Sequence, residues 1–105
     1  MTEEEALALV EDGLVSERSL SVRLRMGEGL DRVMLERTKE ALRFLAHLYR
    51  DRDTIPKRLA FATVDLTGLL TSGEHSDDLW YEVQKAGDEL TSLAYSIFEP
   101  GPRLG

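Results

Sequence analysis

Apolar positions recur at helical spacing through most of this chain. Between residues 30 and 50, Leu30, Val33, Met34, Ala41, Leu42, Phe44, Leu45, Leu48 and Tyr49 fall on one broad face. Arg32, Glu36, Lys39, Arg43, His47 and Arg50 fall on the other. That periodicity predicts an amphipathic helix over 30–52. Glu36 with Lys39, and Glu40 with Arg43, stand one turn apart with opposite signs, as on a solvated helix face. A second long helix is predicted over 77–98, burying Leu79, Val83, Ala86, Gly87, Leu90, Leu93, Ala94 and Ile97. An N-terminal helix over 3–12 opens with the capping-box pair Thr2 and Glu5, and Gly13 is placed to end it.

Two stretches depart from this amphipathic pattern. Residues 59–73 carry a single charge, Asp65, and are apolar nearly all round a helical wheel. With Asp53 or Thr54 as cap and Pro56 in the first turn, they predict a buried central helix over 55–71. The short link before it predicts antiparallel packing against the preceding helix. Residues 19–26, in contrast, alternate polar and apolar without error, which is the strand period. No second segment matches it as clearly. The segment is therefore a short helix, an extended loop over the core, or an edge that pairs outside the chain in a homodimer through 19–26. The expected fold is all-α: a small single-domain helical bundle of about four helices around a central apolar helix. A short extended segment at 19–26 is allowed for. The domain spans 1–98, and 99–105 is read as a flexible C-terminal tail.

Composition narrows the chemistry. A chain of 105 residues suffices for one core. It has no cysteine, which excludes disulfides, thiolate metal sites and a thiol nucleophile. The acidic start differs from a secretory signal, and no apolar run approaches the ~20 residues of a membrane span. The expectation is a cytoplasmic protein with no membrane association. The net charge of −7 is unevenly spread. Residues 1–17 hold six acids and no base, 18–58 eleven bases and six acids, and 59–105 two bases and eight acids. The blocks neutralise one another if the basic middle packs beside the acidic ends. A net acidic domain also lacks the footprint of a nucleic-acid binder, so none is expected as a partner.

Catalytic patterns are sparse. Gly27-Glu28-Gly29 between 19–26 and the next helix lacks the third glycine and the lysine of a phosphate loop, and is read as a turn. Glu74, His75, Asp77 and Asp78 cluster, but Ser76 is a natural N-cap and the two aspartates suit a first helical turn. His47 is read as a surface histidine. Asp65 is either a pocket acid or the partner of Arg37. No catalytic residue, cofactor or metal is assigned. Residues 88–95 resemble the acidic helix of the all-α nucleotide pyrophosphohydrolases. Glu89 is followed at i+3 by Ser92, however, and no upstream E-x-x-E pair occurs, so that family's magnesium chemistry is not carried over. Residues 76–81, Ser76-Asp77-Asp78-Leu79-Trp80-Tyr81, are similar to the acid-plus-tyrosine stretch of colicin-type immunity proteins, a resemblance that implies protein binding.

The outer side of the last helix carries the functional expectation. Asp77, Tyr81, Asp88 and Tyr95 share one angular sector, with Gln84 beside them and Trp80 and Phe98 at its edge. Aromatic and acidic side chains together are common at protein-binding hot spots. The expected function is a small acidic protein-binding module acting on a basic protein partner, of inhibitor, immunity or anti-toxin type. Asp77, Trp80, Tyr81, Gln84, Asp88 and Tyr95 are its contact residues. The alternative is a ligand-binding or metal-dependent hydrolytic bundle built on a buried carboxylate, Asp65.

Overall fold

A computed structural model of the chain describes residues 1–64, 66 and 77–99. It is all-α, and the described residues form five helices: α1 Glu3–Leu14, α2 Leu20–Arg25, α3 Arg32–Leu48, α4 Lys57–Val64 and α5 Asp77–Phe98. Asp65, residues 67–76 and 100–105 of the expected tail lie outside the described residues. The Asp65–Arg37 pairing, the Ser76 cap and the Glu74 and His75 part of the acid cluster lie there with them.

Helix ends follow from local chemistry. Thr2 Oγ1 accepts from the Glu5 amide at 3.1 Å, the cap expected from its spacing. Asp31 caps α3 by accepting from the Met34 amide at 3.0 Å, while its other oxygen takes the Arg23 guanidinium at 2.6 Å. One carboxylate thus starts α3 and holds α2 against it. Gly27 ends α2 in the left-handed conformation at φ 79°, with the Glu28 amide returning to Arg23 O at 2.9 Å and the Gly27 amide to Leu24 O at 3.1 Å. This is a Schellman closure, and it accounts for the first glycine of the Gly27-Glu28-Gly29 turn.

The strand pattern at 19–26 yields to a helix. Six residues are too few for periodicity to separate the two states. Leu20 and Leu24, one turn apart, are both buried, and Ser19 Oγ caps the helix by accepting from Val22 N at 3.4 Å. Met26, in phase with the leucines in a strand, points to solvent. A helix offers no strand edge, so the ground for a homodimer through 19–26 is removed.

Among the described residues the middle of the bundle is α3, and of the expected central 59–73 segment only 59–64 and 66 are described. α3 packs against α1 on one side and α5 on the other, whereas α4 packs mainly against α1. Leu35, Ala41, Leu42, Leu45 and Tyr49 supply its buried stripe. In α4, Leu59 and Ala62 are buried, as is Leu66 beyond it, but Phe61 is 70% and Val64 76% exposed. Its apolar residues lie on two sides, and only one side is covered. The antiparallel neighbour of α3 is α1: Tyr49 Oη donates to Glu3 Oε2 at 2.5 Å, and Gly13 lies against Thr38. α5 runs parallel to α3, since Arg32 meets Glu82 and Lys39 meets Glu89.

Gly13 does not end α1. It is buried within the helix, where a Cβ would press on the Thr38 side chain, at 3.2 Å from Cβ and 3.3 Å from Cγ2. Its role is close approach of α1 to α3. Charge blocks meet as their signs require. Arg58 binds Glu4 with both carboxylate oxygens at 2.9 Å and also holds Glu11, and Arg52 lies 3.7 Å from Glu3. Arg32–Glu82 and Lys39–Glu89 join the basic middle to the acidic C-terminal third.

Candidate functional site

α5 separates into three longitudinal strips. The first is the core strip of Val83, Ala86, Leu90, Ala94 and Ile97. The second faces α3 and carries Glu82 and Glu89. The third faces solvent and carries the residues singled out from the sequence. Tyr81 is 68% and Tyr95 70% exposed, and Trp80 and Phe98 are exposed at 54% and 40%. Asp88 is exposed and Gln84 half-buried. The structure therefore brings Trp80, Tyr81, Gln84, Asp88 and Tyr95 onto one face of a single 22-residue helix. Asp77 opens that helix, but its side chain is not among those described.

Charge on this face is unspent. Asp78, Asp88 and Glu99 take part in no ion pair among the described residues, whereas Glu3, Glu4, Glu11, Glu82 and Glu89 are all engaged with bases of the middle block. Thus the neutralisation anticipated from the charge blocks is real for the inner acids, and it leaves a residual negative strip on the outside of α5. Four exposed aromatic side chains on the same strip are unusual for a surface with no partner.

Beside this strip lies a groove of about 490 Å³ between α3 and α5. Leu30, Leu35 and Ala86 line its apolar part, with Tyr81 and Lys85 also on its wall. Lys39 crosses it: its Nζ lies 2.5 Å from Glu89 Oε2 and 3.1 Å from Glu36 Oε1. The sequence pattern places Lys39 on the solvated side of α3, yet it is buried at 7% exposure, covered by α5. The Glu89 hydrogen bond raises the Lys39 pKa against the opposing effect of burial, and the same bond holds Glu89 below the ordinary carboxylate value. Heptad spacing was the available signal. Arg32 and Lys39 are seven residues apart, and so are Glu82 and Glu89, as in paired parallel helices.

The groove's chemistry is that of a closed set. Arg32 and Lys39 are each held by glutamate, which leaves Lys85 as the cation on its wall with no ion pair among the described residues. No group of three or more metal-ligating side chains occurs among the described residues. His47 is exposed on α3. No helix among them is long and apolar enough to cross a membrane. No protein-family model, curated protein or solved structure matches this chain.

Proposed function

We propose that this chain is a small acidic protein-binding module that engages a basic protein partner, without catalysis, through the outer face of α5. Inhibitors, immunity proteins and anti-toxins act in this manner. The observation that carries the reading is the coincidence, on one helix, of exposed Trp80, Tyr81, Tyr95 and Phe98 with acids that take part in no ion pair among the described residues. Aromatics supply contact area at small entropic cost, and exposed acids steer a positively charged protein toward them. The same acids repel nucleic-acid phosphates.

The alternative reading, a ligand-binding or hydrolytic bundle, turns on Asp65, outside the described residues. The acids that line the α3–α5 groove, Glu36, Glu82 and Glu89, are tied to Arg32 and Lys39.

Affinity purification from the native host, run in parallel on the parent and on a Trp80→Ala/Tyr81→Ala double variant, tests the reading. A basic protein retained by the parent and lost by the variant is the expected result. Equal retention by both places the interaction elsewhere on the molecule.

A further inference from the structure

Seven polar side chains line the α3–α5 groove, and five of them are tied to one another. Arg32 holds Glu82, and Lys39 holds both Glu36 and Glu89. The other two are Tyr81 and Lys85, whose side chains make no hydrogen bond or ion pair among the described residues. They stand four residues apart on α5, so they are neighbours one turn apart on the same wall. Lys85 offers an ammonium and Tyr81 a phenol hydroxyl, and both are exposed. Leu30, Leu35 and Ala86 give the groove its apolar lining. At about 490 Å³ it has the size of a small-molecule site, and such sites combine an apolar wall with a few convergent polar groups.

We infer that the α3–α5 groove binds a small amphipathic monocarboxylate, with its head on Lys85 and Tyr81 and its apolar body against Leu30, Leu35 and Ala86. This inference goes beyond the protein-binding reading and does not rest on it. The sign of the head follows from which groups are already spent. Glu36, Glu82 and Glu89 are each bonded to a base, whereas Lys85 is the charge in the groove with no ion pair among the described residues. A carboxylate satisfies the ammonium and the hydroxyl together, one oxygen to each, and the ammonium bond is the stronger charge-assisted kind. One ammonium and one hydroxyl suit a single negative charge. A phosphate dianion calls for more donors or a planar guanidinium, and Arg32 is already engaged. A cationic ligand meets Lys85 with like sign. The apolar lining sets the rest of the ligand, because a head without a body leaves that lining in water.

Octanoate is the probe, with octan-1-ol, octylammonium and butanoate as controls. Each is titrated into the full chain below its micellar concentration and followed by the backbone amide resonances. Octanoate is expected to move the amides of Leu35, Tyr81 and Lys85 and to bind about tenfold more tightly than octan-1-ol, with octylammonium weaker still. Each methylene added between butanoate and octanoate should tighten binding by up to about fourfold. Lys85→Gln keeps an aliphatic stem at an exposed position and removes the charge. It should weaken octanoate about tenfold, leave octan-1-ol unchanged and preserve the far-ultraviolet circular dichroism. Tyr81→Phe should cost octanoate about fivefold. Octanoate that binds no better than octan-1-ol or octylammonium overturns the inference, and so does an octanoate affinity indifferent to Lys85→Gln. Butanoate bound as tightly as octanoate removes the apolar lining from the site. Shifts confined to residues outside the groove, or no shift at millimolar octanoate, overturn it outright.

Discussion

Lys39 Nζ lies 2.5 Å from Glu89 Oε2, joining the buried face of α3 to the inner flank of α5. Burial gives this bond its weight, because the Lys39 side chain is 9% exposed and has no recourse to water. Glu89, at 37%, is partly hydrated, which limits the value of the pair. Lys39→Ala is expected to destabilise the fold by about 1–2 kcal/mol, measured as a shift in urea midpoint.

The same pair sets an acid limb of stability. Because Lys39 holds Glu89 below its ordinary 4.5, the contribution is complete above about pH 4.5 and disappears as pH falls through the lower folded value. The raised Lys39 gives the opposite limb: complete below pH 10.5, lost as pH rises past the folded value. Urea midpoints measured from neutral pH into acid should fall less steeply in Lys39→Ala than in the parent. Parallel curves would show that the pair carries no pH dependence.

Gly13 and Thr38 form a close contact between α1 and α3, and their substitutions should be coupled. Glycine to alanine in a helix interior ordinarily stabilises by about 0.5–1 kcal/mol. Here the new methyl group would meet Thr38, so Gly13→Ala is expected to cost about 1–3 kcal/mol. In the Gly13→Ala/Thr38→Ala double variant much of that cost should be regained. A thermodynamic cycle with no coupling energy would contradict the contact.

Tyr49 ties the end of α3 to the start of α1. Burial first, and then its hydrogen bond to Glu3, push its phenol up to about 12. The folded pKa lies above the ordinary 10.0, so this contribution is complete below pH 10.0 and lost as pH climbs toward about 12. Tyr49→Phe should remove one tyrosinate step near pH 12 from an ultraviolet titration. It should also lower stability by about 1–2 kcal/mol.

Within α4 and just beyond it, burial divides neighbouring apolar residues. Leu59→Ala and Leu66→Ala should each cost about 2–5 kcal/mol, as core truncations do. Phe61→Ala, at an exposed position, should change stability by less than about 0.5 kcal/mol. Equal costs at Leu59 and Phe61, read by thermal or denaturant unfolding, would restore the reading of this helix as buried on all sides.

Much of this architecture is legible in the order of residues. The spans of α1, α3 and α5 follow from apolar recurrence at three and four, and the Thr2 cap from its place before Glu5. The outer sector of α5 is legible for the same reason: one helix's angular arithmetic is a property of sequence alone. Facts that require two helices at once are not legible in this way. An apolar run such as 59–66 reports that burial is favourable but not which side finds a neighbour, so Phe61 and Val64 were expected inside and stand outside. Lys39 reads as solvated because polarity along α3 is local, while its burial depends on where α5 lies. Gly13 reads as a helix end because glycine favours one, and only the approach of Thr38 gives it another use. Periodicity belongs to a single helix, and burial belongs to the pair that meets.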